Sequence, residues 1–285
     1  MKTITLILSV VIYSMIIPGK AIAGDEDKLK LSFSNPEEPG LLIIEMINGN
    51  IDIQGYDGKE VLLESLPPKG ESHEHKIPEP VLPDTEEGDE EISKEGLKKI
   101  KSSSFEINIT EEGNKIKIKP GLTNINQNFN IKVPYACSFK ISTVTGNISV
   151  KNVKGELEMS TVNGKIDLDK ITGSSVASSV NGIIKVVFKK VTADAPMAFS
   201  TVNGHIDVTL PAITKATLKM KTDRGDIYTD FDIDVEEKKE KSHKEDKPGQ
   251  TETSWIKWTT ADINGGGPEF AFKSLNGDIH IRKGQ

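Results

Sequence analysis

The sequence feature that most constrains the fold is a phrase of nine residues that occurs twice. STVNGKIDL begins at Ser160, and STVNGHIDV begins at Ser200. Glycine also recurs at every ninth residue, at positions 146, 155, 164, 173 and 182. A fixed short period is typical of solenoids, in which each rung buries its apolar side only against neighbouring rungs. Two nine-residue half-turns predict rungs of about 18 residues, and the wider glycine steps that follow extend this to about 22.

Seven copies of the phrase align on their glycine. Isoleucine lies two positions after the glycine in every copy, and a second apolar residue usually follows two positions later. Alternation of β-branched and polar residues predicts strands with one buried face. The predicted core residues are Ile51, Ile148, Ile166, Ile184, Ile206, Ile227 and Ile279. Stacked rungs would place four of these, Ile148, Ile166, Ile184 and Ile206, above one another at about 4.8 Å.

The residues at the glycine predict tight corners, because asparagine precedes it in five of the seven copies and Asn-Gly readily accepts positive φ. The predicted corner residues are Asn48, Gly49, Gly146, Asn163, Gly164, Asn181, Gly182, Asn203, Gly204, Gly225, Asn276 and Gly277. Taken singly, two strands joined by Asn-Gly would also indicate an antiparallel hairpin. The predicted fold class is therefore an all-β, single-stranded β-solenoid (β-helix-like), with an antiparallel β-sandwich of hairpins as the alternative.

The N-terminal residues predict export. Lys2 precedes an apolar run, and Ala21 and Ala23 form the small-x-small pattern of a signal-peptide cleavage site, with a retained anchor as the less favoured reading. We expect cleavage after Ala23 and a location in the periplasm, at the cell surface or outside the cell. Loss of Lys2 and Lys20 changes the formal net charge from −7 to −9. The acidic charge leads us to expect no nucleic-acid partner. No later stretch is apolar for long enough to cross a bilayer, so we expect no integral membrane segment after cleavage.

Composition divides the chain into six parts. They are the signal peptide (1–23), N-terminal strands of the repeat domain (24–66), a flexible acidic, proline-rich excursion (67–104), the β-repeat coil (105–233), a charged loop (234–252) and a final repeat with a cap (253–285). The two charge-rich segments contain too little apolar surface to order themselves. Trp255 and Trp258 are candidates for the cap, because an open solenoid end recruits strands from other chains.

The residues that could carry chemistry are few. Asp52, Asp167 and Asp207 lie three positions after a repeat glycine and could bind a cation or act as an acid/base pair. Lys185 interrupts this row, which favours a solvated polar face. His73 and His75 lack further fixed ligands. We predict no catalytic residue, no metal site and no cofactor.

Two further features concern single side-chain types. Cys137, the only cysteine, shares strand parity with apolar neighbours and is predicted to be a buried, inert thiol. Hydroxyl residues lie three positions before the glycine in six copies, at Thr143, Thr161, Ser179, Thr201, Thr222 and Ser274. This column could present an evenly spaced surface to a repetitive glycan. The favoured interpretation is that the hydroxyls suit β structure and cap turns.

The stretch IKVPYACSFKISTVTGNISVKNVKGELEMSTVNGKIDLDKITG resembles the bacterial adhesin-like family of exported β-strand-repeat proteins, a domain of unknown function. IEMINGNIDIQGYDGKEVLLES and FKSLNGDIHI resemble its opening and closing strands. The resemblance implies a β-solenoid-like domain of the cell envelope without known catalytic residues. We therefore predict a non-enzymatic scaffold or adhesin-like binding protein, with an envelope protein or a polysaccharide as partner. The alternatives are a polysaccharide-processing enzyme using Asp167, Lys185 and Asp207, and a self-assembling structural protein.

Overall fold

The computed structural model describes residues 28–66, 107–120, 127–247 and 250–284, and these residues form twenty β-strands. The first ten are β1 (Lys28–Ser32), β2 (Gly40–Glu45), β3 (Ile51–Tyr56), β4 (Glu60–Leu66), β5 (Ile107–Glu112), β6 (Lys115–Pro120), β7 (Asn128–Pro134), β8 (Cys137–Thr145), β9 (Ile148–Lys151) and β10 (Lys154–Asn163). The others are β11 (Ile166–Asn181), β12 (Ile184–Val191), β13 (Met197–Asn203), β14 (Ile206–Pro211), β15 (Ala216–Arg224), β16 (Ile227–Thr229), β17 (Val235–Lys247), β18 (Gln250–Ile263), β19 (Glu269–Asn276) and β20 (Ile279–Gly284). The described ranges contain no helix that is long and apolar enough to cross a membrane. The predicted signal peptide and the predicted excursion at 67–104 lie outside the described residues.

Eight rungs of the described chain stack into a parallel coil with two ladders of strands. The first ladder runs β6, β2, β8, β10, β11, β13, β19, β15. The second ladder runs β7, β3, β9, β11, β12, β14, β20, β16. Strand β11 belongs to both ladders, because its first half pairs with β9 and β12 and its second half pairs with β10 and β13.

The register follows the glycine spacing of the sequence. Ile166 pairs with Ile148 and with Ile184, and Ile184 pairs with Ile206, so these side chains form one stacked column. The predicted β-solenoid is confirmed. The antiparallel sandwich is wrong for the coil, because all the ladder pairings between its rungs are parallel. A hairpin needs its two strands to pair with each other, whereas the strands on either side of each Asn-Gly corner pair with the rungs above and below.

The order of the rungs in space differs from their order along the chain. The rung β2–β3 lies between the rungs β6–β7 and β8–β9. The rung β19–β20 likewise lies between β13–β14 and β15–β16. The rungs nearest the two chain ends are therefore each held by strands on both sides.

Antiparallel strands cover the ends of the ladders. At one end, β4 and then β1 extend the second ladder beyond β7, and β5 extends the first ladder beyond β6. At the other end, β18 pairs with β15, and β17 pairs with β18. The prediction of a charged loop at 234–252 is wrong, because most of this segment forms β17 and the start of β18. Backbone pairing with the threonine-rich β18 orders β17 although its sequence is strongly charged.

The core lies between the inward faces of the two ladders. Of the predicted core isoleucines, Ile227 in the last rung of the second ladder is partly buried, and the other six are fully buried. Each fully buried isoleucine contributes about 1.5–3 kcal/mol relative to an exposed one. The first ladder supplies larger side chains, and the rings of Phe199 and Phe272 stack at 5.3 Å between centroids. Burial of Cys137 raises the pKa of its thiol to about 12.

The corners agree with the predicted backbone geometry only in part, because positive φ occurs at four of the seven corner glycines, Gly49, Gly146, Gly204 and Gly277. None of the corner asparagines has positive φ; instead their amides form a ladder of hydrogen bonds. Asn181 Nδ2 donates to Asn163 Oδ1 at 2.8 Å, and Asn203 Nδ2 donates to Asn181 Oδ1 at 2.7 Å. Each corner glycine packs its Cα against the carbonyl oxygen of the corner below, where a Cβ would collide. The corner asparagines are thus explained by side-chain pairing between rungs.

Candidate functional site: the outer face of the second ladder

The three predicted aspartates lie on the outer face of the second ladder, in one column of outward side chains. From the first rung to the last, this column contains Asn130, Asp52, Ser149, Asp167, Lys185, Asp207, His280 and Tyr228. Lys165 Nζ contacts Asp167 Oδ2 at 2.6 Å, and Arg282 Nε donates to Asp207 Oδ1 at 2.8 Å. Neutral or basic side chains thus separate the three aspartates. Asp167 and Asp207 are each paired with a cationic side chain. The column contains no contiguous row of carboxylates.

The structure does not bring these acids together with histidines as a metal site. Within the described ranges, no group of three or more His, Cys, Asp or Glu side chains is arranged to hold a metal ion. His73 and His75 lie outside these ranges, so the interpretation of that pair stays a prediction.

The hydroxyl column lies inside the coil. Thr143, Thr161, Ser179, Thr201 and Ser274 are at most 5% exposed, and Thr222 is half-buried. Five of these hydroxyls donate to the carbonyl oxygen of a glycine in an adjacent corner, as Ser179 Oγ does to Gly164 O at 3.2 Å. The interpretation of this column as a glycan-facing surface is wrong, and the interpretation that the hydroxyls cap the turns is confirmed.

The side chains with the most varied chemistry lie together near the C-terminal end of the second ladder. We call them the C-terminal patch: Asp207, Asp226, Tyr228, Asp278, His280 and Arg282. They come from β14, β16 and β20 and from the corners that precede β16 and β20. The insertion of β20 between β14 and β16 brings these segments together.

An aromatic pair forms the centre of the C-terminal patch. The Tyr228 and His280 rings stack with their centroids 5.0 Å apart and an interplanar angle of 11°. The Tyr228 hydroxyl donates to Asp226 Oδ2 at 3.3 Å. On the neighbouring rung, His205 Nδ1 accepts a hydrogen bond from the backbone N–H of Asp278 at 3.2 Å. Tyr228 is thus held by stacking and by its hydroxyl, and His280 lies between Tyr228 and the His205 ring, whose centroid is 6.4 Å away.

The local field of the patch is negative. The charge of Asp226 raises the pKa of Tyr228, with smaller contributions from burial and from Asp278. The hydrogen bond to Asp207 raises the pKa of Arg282. The phenol therefore stays protonated at neutral pH and keeps its hydrogen bond to Asp226.

One face of Tyr228 remains open to a ligand. Its strand, β16, pairs only with β20 among the described strands, and the ring is 49% exposed. His280 covers one face of the ring. An exposed aromatic face beside fixed carboxylates can accept a flat apolar surface that also carries hydrogen-bond donors.

A concave surface lies at the other end of the same ladder from the C-terminal patch. It is an open depression of about 330 Å³ between β3, β4, β7 and β9. Asp52, Gln54, Glu64, Lys132 and Lys151 contribute to its lining. The acids and lysines alternate in sign and the depression contains no aromatic ring, so it offers fewer distinctive groups than the C-terminal patch.

A comparison with family models decides the classification of the chain. The model described as Toastrack DUF4097 matches residues 42–264. The chain belongs to the Toastrack DUF4097 family. This confirms the resemblance of the repeats to a domain of unknown function. The Toastrack match ends before the last rung, β19–β20, although that rung is inserted within the coil.

Two other comparisons add little to the Toastrack assignment. A search of the curated proteins found no match. Among solved structures, the crystal structure of a "putative cell adhesion protein" from Clostridium sporogenes is similar. The two chains are 12% identical, the match covers 90% of this chain and 99% of that chain, and the TM-score is 0.43.

Sequence reasoning missed the C-terminal patch of this Toastrack protein. Tyr228 and His280 stand at the repeat position that is occupied by aspartate in three other copies. In the sequence, a tyrosine and a histidine at this position look like unrelated exceptions. They form a stacked pair because the two copies are neighbours in space. The glycine spacing along the chain gave no indication that the last copy lies between two earlier ones.

Proposed function

We propose that this Toastrack protein is an exported, non-enzymatic, adhesin-like scaffold of the cell envelope that binds a polysaccharide at the C-terminal patch. The observation that carries the proposal is the half-exposed ring of Tyr228, fixed by stacking on His280 and flanked by carboxylates. Export is supported by the sequence pattern of residues 1–23.

A saccharide is the ligand class that suits this arrangement best. One face of a pyranose ring is apolar and packs on an aromatic side chain, while its hydroxyls donate to carboxylates. The exposed face of Tyr228 would take the apolar side of the sugar, and Asp226 and Asp278 would accept from its hydroxyls. Parallel pairing of β14, β20 and β16 holds these groups without a loop rearrangement.

Binding is favoured over catalysis by the positions of the acids. Glycosidases place two carboxylates about 5–9.5 Å apart across the bond that they cleave. The backbones of Asp167 and Asp207 are two rungs apart, about 9.6 Å, at the upper limit of this range, and Lys185 lies between them. Lys165 and Arg282 pair with the two acids. We therefore propose that Asp167, Lys185 and Asp207 form a polar surface without a catalytic role.

A glycan and cell-wall-polymer binding array tests the proposal. The protein from Gly24 onward should bind at least one polymer saturably, and Tyr228→Ala should abolish that binding while Tyr228→Phe retains most of it. Tyr135→Ala, an aromatic change outside the patch, serves as the control. A blank array would overturn polysaccharide binding. Binding that survives Tyr228→Ala would show that the patch is not the site.

A reducing-end assay on the bound polymer separates binding from hydrolysis. We expect the parent protein to release no sugar. Release that disappears in the Asp167→Ala, Lys185→Ala, Asp207→Ala triple variant would instead establish the enzymatic alternative.

A further inference from the structure

An exposed row of aliphatic side chains runs along the Asn-Gly corner of the coil. We call it the aliphatic stripe: Ile47, Val144, Val162, Val180, Val202 and Leu275. Their exposures are 57%, 44%, 39%, 39%, 37% and 42%, in that order. Each side chain lies just before the Asn-Gly or Thr-Gly pair of its rung. Single exposed aliphatic residues are ordinary, whereas a continuous row of them marks a contact surface.

The stripe is continuous because its six rungs are consecutive in space. The pairings Asn48 with Thr145, Asn163 with Thr145, Asn163 with Asn181, Asn181 with Asn203 and Asn203 with Asn276 bring one stripe residue beside the next. Five steps of about 4.8 Å give the stripe a length of about 24 Å. The fold does not need these side chains to be apolar, since they point away from the core.

The columns on either side of the stripe carry complementary charges in the last two rungs. The strand-side column lies two residues before the stripe position of each rung and continues into the next rung, β15–β16. It contains Glu45, Ser142, Ser160, Ser178, Ser200, Lys273 and Lys221. The corner-side column, three residues after the stripe position, contains Asn50, Asn147, Lys165, Ile183, His205, Asp278 and Asp226. One side therefore ends in two lysines and the other ends in two aspartates.

We propose that the aliphatic stripe is the contact surface between two copies of this chain, related by a two-fold axis parallel to the stack of rungs. In this arrangement each stripe residue meets its own equivalent, and the strand-side column of one copy faces the corner-side column of the other. Lys273 then faces Asp278, and Lys221 faces Asp226, twice over by symmetry. The one contact between like charges is that of Asp223, which continues the stripe position into β15–β16 and would face its own equivalent. Lys221 Nζ lies 3.2 Å from Asp223 Oδ1 in the same copy and offsets this repulsion.

The opposite arrangement, with antiparallel stacks, is less favourable. It would place the strand-side column of one copy against the same column of the other, in reverse order. Glu45 would then face Lys273, but Lys119, which lies beside Glu45 one rung further out, would face Lys221, so attraction and repulsion would cancel. The parallel pairing is therefore the one that the charges support. A contact of this width belongs to the small, transient class of interfaces, so the dimer should dissociate on dilution.

Cysteine crosslinking tests the arrangement. Val180→Cys should form an intermolecular disulfide with its own equivalent under mild oxidation, because the two-fold axis brings identical residues together. Val176→Cys is the matched control, because Val176 is 46% exposed on the same strand but lies outside the stripe. The natural Cys137 is fully buried and does not interfere.

Equal crosslinking of both variants, or of neither, would overturn the proposal. A mixture of Val162→Cys and Val180→Cys chains that crosslinks only between the two variants would favour the antiparallel arrangement and overturn this one.

Sedimentation at rising concentration measures the association itself. The parent should pass from monomer to dimer, and Val162→Asp with Val180→Asp should raise the dissociation constant by at least about tenfold. Val176→Asp should leave it unchanged, and Lys273→Glu should weaken it through repulsion from Asp278. Unfolding curves would verify that these surface variants stay folded. Asp226 and Asp278 belong both to the C-terminal patch and to this contact, so the valine variants of the stripe, and not changes of these aspartates, separate the two proposals. A parent that remains monomeric at every concentration would overturn the dimer, whatever the glycan array shows.

Discussion

Glycine at position 164 is required by the spacing of the rungs. A Cβ on Gly164 would overlap the carbonyl oxygen of Gly146 and lie 3.2 Å from Thr161 Oγ1. Neither of these two atoms can move away, because Thr161 Oγ1 donates a hydrogen bond to the Gly146 carbonyl oxygen and both residues belong to the stacked rungs. The backbone at Gly164 is outside the left-handed region, so the restriction is steric.

We therefore expect Gly164→Ala to lower the free energy of unfolding by about 3 kcal/mol, the upper part of the range for overpacking. Urea unfolding measures this value. Gly113→Ala is the control, because no atom lies within 4 Å of its Cβ position and only the φ of +58° opposes alanine. That variant should lose about 1 kcal/mol. Equal losses in both variants would contradict the steric explanation.

Cys137 offers a second test at the scale of one residue. The thiol is fully buried, and burial raises its pKa to about 12, so the reactive thiolate is scarce at neutral and mildly alkaline pH. The folded protein should not react with an aromatic disulfide reagent at pH 8, and it should react with one equivalent after unfolding in urea. Rapid labelling of the folded protein would show that this rung opens readily.

At the residue scale, parity explains both the success and the failure of sequence reasoning. Ile166 and its equivalents were predicted from period two within one strand. Period two could also have placed the hydroxyl of Thr161, because Thr161 shares parity with Leu157 and Met159 of its own strand, and all three are buried. Alignment of the copies on their glycine draws attention away from this parity. The partner of Asn181 has no signal within its own strand, because it is another asparagine 18 residues away.

At the scale of elements, the rung β19–β20 should be as well protected as the rungs in the middle of the chain. Strand β20 lies between β14 and β16, and β19 lies between β13 and β15. Hydrogen exchange measured by mass spectrometry should give slow exchange for residues 279–284, although they are close to the C-terminus. Exchange in β16, which pairs with β20 alone among the described strands, should be faster. Fast exchange throughout residues 269–284 would contradict this position for the last rung.

Prediction of the elements from sequence was good where strands repeat and poor where they do not. The strand of each repeat follows from alternation and from the glycine that precedes it. Strand β17 has neither feature, since VEEKKEKSHKEDK contains almost no apolar residue. Its structure depends on the partner strand β18, and local composition does not reveal a partner.

At the scale of the whole molecule, inserted rungs should slow folding. The rung β15–β16 contacts the last segment of the chain, so it cannot complete its stacking until β19 and β20 arrive. Long-range pairings of this kind raise the contact order and lower the folding rate. A rearranged variant, with residues 269–284 and a short linker placed after Pro211, would make chain order and rung order agree there.

This variant should have the same far-ultraviolet circular dichroism as the parent and should refold faster after dilution from urea. A variant with the same linker inserted after Pro211 but no moved segment controls for the insertion. Refolding at the parent's rate would mean that insertion of the last rung is not the slow step.

The inserted rungs also restrict how such a chain can grow during evolution. A repeat added at either terminus would not extend the stack, because both terminal rungs already have neighbours on each side. Lengthening must occur by duplication inside the chain, among the rungs from β8 to β14 whose order in space follows the sequence. STVNGKIDL and STVNGHIDV, the two most similar phrases, both lie in that interval and are separated by one intervening rung. Their likeness is the trace expected of an internal duplication, and further copies inserted there would lengthen the coil while preserving both ends.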